Sequence, residues 1–509
     1  MQRLRLILIF LILSRTISAQ DYDINWLITS GHDSTLYFNT FVQFPIGGGS
    51  PQFSTTSGHI PFNYSNACIS DEHGNFLFSS NGLNVYNKTY QKIAGAIIST
   101  PQTQSLQNMG LNRPHSSFFL PWPDDTNRYV LIYSIPELTS VSSGPCAGGW
   151  GNLATHVYYT ILDKNLNGGM GGIITASNIA VTDTLAHIFG LTACKHANGR
   201  DWWIFAKERC TNGYDRFLLT PGGIQFTGKV FAGPVITVSD AAISGFSNNG
   251  NYMYNIVNDT VCYLYKFDRC AGTFLDTTSL RIPWIGDFLS AFSPNSEILY
   301  RAASNQGSKT AQYDLTKWNQ PGGVLASRLL VDPIVDTVTC TNQSFGSGCA
   351  ACFPKLAPDG KIYFGHCYPC NLSVINFPDS LDTICHMEYN TIVLPTAHSG
   401  ALPHMPNYRL GPVTGSVCDS LTSVHELKSD EVSLYPNPAK DHITLQSKRS
   451  LSKAVITLMN VQGQVLFSLQ TGTGTGFEVE LPRDMGNGIY FLRIHSTEGA
   501  VSKKVVVQR

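Results

Sequence analysis

The sequence predicts an all-β chain: a β-propeller of about seven blades followed by a small Ig-like β-sandwich. Three observations predict it. Short apolar runs broken by Gly, Asn, Asp and Pro dominate, and long amphipathic helical patterns are absent. A strand–turn–strand phrase recurs at steps of about 46 to 72 residues, the period of four-stranded blades rather than of short solenoid repeats. Residues 431–509 then carry a separate set of about seven strands. At 509 residues the chain suits one large and one small unit.

The first element is a signal peptide over residues 1–19. Arg3 and Arg5 supply the positive end, and Leu6 to Leu13 form an uninterrupted apolar stretch. Ser18 and Ala19 offer small residues for cleavage, which leaves Gln20 as the first mature residue. The apolar stretch is too short to span a bilayer, and a retained anchor is the alternative reading. No other segment approaches transmembrane length.

Composition fits an export product. The chain carries a formal charge of −1, with +3 on residues 431–509 and −7 on residues 20–430. A mildly acidic body argues against a nucleic-acid partner, because phosphate binding needs a basic surface. Charged residues make up only 14% and hydrophobic residues 43%, enough for a sizeable core. The 13 cysteines should largely pair in an oxidising compartment, with at least one left over.

The repeat spans residues 20–411. Its clear copies are Ile69–Phe78, Phe246–Tyr254, Phe292–Tyr300 and Leu356–Phe364, with looser ones at Asp124–Ile132 and Lys195–Ile204. Asp, Asn and Gly at the turns tolerate the left-handed backbone that a tight hairpin demands. Bulky residues then alternate, as in a strand with one buried face. Six copies are visible. A seventh blade is expected where a strand near Leu36–Phe44 joins one near residues 398–409, so that no sheet edge stays open. The competing architecture is a pair of β-sandwiches. This region resembles a family of exported bacterial proteins of uncharacterised activity. The resemblance rests on Ala67–Phe78, Leu191–Gly199, Leu356–Tyr363 and Leu402–Gly411. It implies a propeller-like fold and no activity.

Residues 412–430 read as a polar linker. Residues 431–509 open with a strand, the turn Tyr435-Pro436-Asn437-Pro438 and a second strand. Both prolines lack a backbone donor, so the turn cannot join a sheet ladder. A hairpin turning at Gln462-Gly463, then Gly486-Asn487-Gly488-Ile489-Tyr490 and the terminal Lys503-Lys504-Val505 complete the pattern. These motifs resemble the type A C-terminal sorting domain of type IX secretion cargo. The resemblance implies recognition by the outer-membrane secretion machinery and removal of the domain. The body is then released or attached to the cell surface. A generic carbohydrate-binding or Ig-like module is the alternative.

Few residues suggest chemistry. Cys349 and Cys352, with Cys367 and Cys370, are candidate cross-strand disulfides if Asp359-Gly360 is a two-residue turn, and a zinc site is the minority reading. A three-residue turn with a bulge would shift the register by one and weaken that pairing. Cys194 and Cys210 are further candidate staples, as are Cys262 and Cys270. His196, Trp202 and His366 are candidate ligand contacts, and His398 and His404 also lie near repeat turns. No HExxH, GxSxG or P-loop occurs, so no catalytic residue is assigned. The expected function is a secreted or surface-held, non-catalytic binding or adhesion module for glycan or protein. It has no transmembrane anchor and no cofactor. An enzyme degrading polysaccharide or peptide from the propeller channel is the alternative. Peptide sequencing of both ends of the mature protein checks the processing: we expect a start at Gln20 and an end before about residue 432. A mature chain retaining Arg509 would contradict removal of the C-terminal domain.

Overall fold

The computed structural model describes residues 20–28, 38–137, 154–180, 186–235, 243–258, 261–281, 287–303, 309–331, 351–366, 371–396, 402–419, 432–452, 454–460, 465–482, 485–496 and 499–509. The signal-peptide assignment and most of the linker lie outside these residues. The chain divides into two compact units, Met1–Gly411 and Pro412–Arg509.

The first unit contains seven antiparallel sheets in chain order, here blades 1 to 7. Blade 1 has three strands, Asn25–Ile28, Thr40–Gln43 and Gln52–Thr55, and the other six blades have four each. Each blade is a simple up-and-down meander. The first strands of blades 2 to 7 are Ala67–Ser70, Ser117–Trp122, Ala186–Lys195, Ile243–Phe246, Asp287–Phe292 and Ala351–Leu356. First strands of successive blades lie beside one another from blade 1 to 3 and from blade 4 to 7. Arg200 of blade 4 pairs with Asp124 of blade 3 at 3.1 Å. Trp26 and Phe44 pack edge-on against Tyr363 of blade 7, at 6.1 and 5.9 Å, and so close the ring. The first unit is a seven-bladed β-propeller.

The recurring phrase is the turn between the first and second strands. In blades 2, 4, 5, 6 and 7 the same three-residue-apart bond closes it: Gly74, Gly199, Gly250, Ser296 and Gly360 donate to Asp71, His196, Ser247, Ser293 and Ala357. The closing residue has positive φ in all five, including Ser296 at 64°. Four copies use Gly because that backbone costs Gly no steric strain. At Gly250, φ 73°, an added Cβ would also lie 2.7 Å from the Arg269 side chain. In blades 5 and 6 the turn is pinned identically: Ser247 and Ser293 donate to Asn249 and Asn295, and the backbones of Tyr252 and Ile298 donate back to the serines.

Residues 402–411 depart from the expectation. They form no strand, and blade 1 is built wholly from residues 25–55. Pro403 and Pro406 lack the N–H groups a ladder requires. The segment instead reaches the inner faces of most blades. His404 N donates to Asn66 O beside blade 2 at 2.7 Å. Its Nδ1 donates to Ser117 O of blade 3 at 3.0 Å. Tyr408 donates to Phe119 O of blade 3 at 2.8 Å. Lys195 of blade 4 donates to Tyr408 O at 3.1 Å, and Lys355 of blade 7 to Met405 O at 2.6 Å. From blade 5, Asn248 O accepts from Asn407 Nδ2 at 2.6 Å and Arg269 donates to Gly411 O at 2.7 Å. Arg409 pairs with Asp23 at 2.6 Å ahead of blade 1. The segment therefore plugs the axis of the ring.

The second unit holds a three-stranded and a four-stranded antiparallel sheet that share one apolar core, including Ile443, Leu445, Ile456, Leu458, Leu492 and Ile494. The Tyr-Pro-Asn-Pro turn is tied to the last strand, Gly499–Val507, by a side chain. Asn437 Nδ2 donates to Lys504 O at 2.9 Å, and its Oδ1 accepts from Val506 N at 2.8 Å. One side-chain amide thus both donates to and accepts from the last strand, and supplies a donor where the flanking prolines have no N–H. Ala439 then resumes true backbone pairing with Val506 and Gln508.

Two predictions follow from the plug. Tyr408 is fully buried, with edge contacts to Tyr22 and Trp202. Tyr408→Ala should cost about 3–5 kcal/mol, as large aromatic truncations in cores do, measured by denaturant unfolding. Burial also pushes Lys195 and Lys355 down to about 8 from an ordinary value of 10.5. Between those values the unfolded chain binds more protons, so stability contributed by these groups rises as pH increases through about 8. We expect the gain in unfolding free energy between pH 7.5 and 9.5 to shrink in Lys355→Met. An unchanged gain would contradict the burial of that ammonium group.

Candidate functional site

Beside the plug, the axis of the propeller leaves a cavity of about 320 Å³. Thr192, Gly245, Leu289 and Phe353, from the first strands of blades 4 to 7, form one wall. Plug residues 402–407 form the other. The cavity extends toward the first turns of blades 6 and 7, where Pro294 and Gly360 border it, and Asp23 and Arg409 also line it. Its size sits at the small end of ligand pockets.

Its polar equipment is compact. His115 and His404 stack face to face, with centroids 3.8 Å apart and planes within 6°. His115 Nδ1 faces Ser244 O at 3.1 Å, and His404 Nδ1 faces Ser117 O at 3.0 Å. A carbonyl only accepts, so each Nδ1 carries a proton. Burial pushes the His115 pKa down to about 3 and holds His404 well below its ordinary value. Both rings are therefore neutral at physiological pH, and each Nε2 is an acceptor. Lys355 stands on the same cavity and, among the described residues, donates to Met405 O. Although lowered, its pKa of about 8 leaves most molecules charged at pH 7. Asp23 is committed to Arg409, which also reaches Asp21 at 3.4 Å.

The arrangement offers one cation and two neutral acceptors. Among the described residues no group of three or more His, Cys, Asp or Glu side chains is placed to hold a metal. Among the described residues that line the cavity Asp23 is the only acidic one, whereas glycoside hydrolysis ordinarily uses a pair of carboxylates.

The residues singled out from sequence lie elsewhere. His196 is 6% exposed, tilted against Trp203 at 5.3 Å, and its Nδ1 accepts from Asn198 N. Trp202 is 1% exposed and packs edge-on against Tyr408. Neither is presented to a ligand; both support the turn and the plug. The His366 side chain and His398 lie outside the described residues. So do Cys349, Cys367 and Cys370 and the side chain of Cys352, and with them the disulfide and zinc readings. The register argued for those pairs does need correction. Leu356 pairs with Ile362 and Phe353 with Gly365, one residue off a two-residue turn, and a bulge then sets Ala351 opposite His366. Cys194 and Cys262 are buried free thiols, whereas Cys210 and Cys270 are disulfide-bonded, so neither proposed staple forms. Burial pushes the Cys194 thiol up to about 12, which leaves it inert.

Of the four histidines weighed from sequence, His404 lines the cavity. His115 was missed, since it lies just before a blade's first strand and belongs to no motif. Lys355 sat unnoticed inside a strand. The legible signal was the Pro403-His404-Met405-Pro406 phrase, whose prolines exclude a ladder.

Comparisons with known proteins bear on the two units differently. A search of the curated proteins finds no match in sequence. Among solved structures, the periplasmic gluconolactonase of Pseudomonas aeruginosa is similar, at 10% identity and a TM-score of 0.41, covering 75% of this chain and 99% of that one. A protein from Lactobacillus plantarum is similar at 9% identity and 0.42, covering 75% and 100%. The Dos1 propeller is similar at 10% and 0.39, covering 74% and 87%. At these values they say nothing about what this chain binds. Described helices include none long and apolar enough to cross a membrane. Residues 433–508 match the family described as the secretion system C-terminal sorting domain. The chain is thus a β-propeller that carries, at its C-terminal end, a domain of the type IX sorting family that directs export.

Proposed function

We propose that this protein is delivered by type IX secretion to the cell surface or medium. There its propeller acts as a non-catalytic binding or adhesion module for a glycan or protein. The observation that carries this reading is the plugged axis. A polymer cannot thread a channel that residues 402–411 occupy, and the remaining cavity accepts only a small group, such as the end of a chain. Its neutral imidazoles and single lysine suit holding that group. The one nearby carboxylate, Asp23, is tied up by Arg409 and so does not suit hydrolysing it. The secretion machinery is the partner for the C-terminal unit, through the Tyr435–Pro438 turn and the Lys503-Lys504 strand. The mildly acidic body argues against a nucleic-acid partner.

Two measurements test the proposal. Deleting residues 431–509 should leave the propeller inside the cell envelope, whereas the full chain appears outside; equal export of both forms would contradict the sorting role. The mature protein, run over immobilised polysaccharides and extracellular proteins, should be retained by some of them without releasing reducing ends or peptides. Release of product would favour the degradative enzyme instead, and retention by none would contradict a binding role.

A further inference from the structure

The axial cavity specifies more than a generic small ligand. Stacking holds the two imidazoles together, and the Nδ1–H bonds to Ser117 O and Ser244 O leave Nε2 as the acceptor on each ring. No hydrogen bond engages either Nε2 among the described residues, although His404 is only 8% exposed. Neither Nε2 is among the buried polar atoms that lack a partner in the described residues, so both stand as accessible acceptors for a molecule bearing O–H or N–H groups. Two acceptors on stacked rings suit a molecule that bears several hydroxyls. Lys355 adds the complementary demand. Its ammonium has three N–H donors and, among the described residues, spends one on Met405 O, and the neighbouring acid Asp23 already serves Arg409. The remaining donors favour an anionic oxygen. Apolar walls from Leu289 and Phe353 match the carbon faces of a compact ring.

We propose that this cavity binds a small polyhydroxylated carboxylate, an acidic sugar free or at a chain end, with its carboxylate on Lys355 and its hydroxyls on the His115 and His404 Nε2 atoms. This deepens the binding role proposed above and rests on the cavity being its ligand site.

The test uses the mature protein and D-glucuronate as the probe, with D-glucose (no charge) and hexanoate (no hydroxyls) as controls, by calorimetry and ligand-observed NMR. We expect glucuronate to bind saturably with a Kd below about 1 mM, and each control at least about tenfold more weakly. Lys355→Met removes the charge, and His115→Phe keeps the stack while removing one acceptor. Each should weaken glucuronate binding about tenfold or more with the folded signal retained. If either variant fails to fold, the discrimination among the three probes by the unaltered protein decides alone. No binding of glucuronate, equal binding of either control, or undiminished binding by both folded variants would overturn the ligand class and leave the binding role standing. Chemical conversion of bound glucuronate, visible in the same spectra, would overturn the non-catalytic reading and leave the ligand class standing.

Discussion

Strands gathered round a common axis leave a column of space that must be filled, and the polar groups along it must find partners away from bulk water. Here the chain supplies the filling from its own sequence. Residues 402–411 offer backbone carbonyls to Lys195, Lys355 and Arg269, and take carbonyls of Asn66, Ser117, Phe119 and Asn248 in return. Every blade but the sixth thus has a hydrogen-bonded or ionic claim on one short segment, counting the Arg409–Asp23 pair ahead of blade 1. The ring and its filling define each other. The cavity is the part of the column the plug leaves open, and His404, on the plug, can meet His115, just ahead of blade 3, only because the plug is in place.

That dependence links stability to recognition. Tyr408 anchors the plug between Tyr22 and Trp202, and four residues earlier His404 presents its ring to the cavity. The lysines that hold the plug sit where water is scarce, and so carry depressed pKa values. One of them, Lys355, also faces the cavity. A group that stabilises the fold is thereby also a charge available to a ligand. The C-terminal unit solves a separate problem. Its Asn437 side chain stands in for backbone that two prolines have disabled, which explains why Asn lies between them in the motif.

The blade hairpins were the most legible part of the sequence, because their turns rest on local chemistry. Gly74, Gly199, Gly250 and Gly360 adopt positive φ at equivalent places, and Ser296 does so without the help of Gly. The C-terminal motifs were legible for the same reason. The plug was misread as a closing strand, because the pull to seal a ring outweighed the evidence of Pro403 and Pro406. The cavity was largely illegible. His115 and His404 lie 289 residues apart in sequence and meet only through the closed ring. The register of the blade 7 hairpin was also illegible: Leu356 lies opposite Ile362, one residue off a two-residue turn, and a further shift falls between Ala351 and Phe353. Periodicity reports strands faithfully, but it does not report which distant backbone a buried side chain will find.

The central claim is that residues 402–411 are built into the axis. Hydrogen exchange at the His404 amide, resolved to single residues, tests it most directly. That amide donates to Asn66 O at 2.7 Å inside the ring. The account predicts protection comparable to the inner strands, lost only on global unfolding. Exchange within seconds in the native protein, while those strands stay protected, would show a segment lying loose on the surface and would remove the plug, the cavity wall and the histidine pair together.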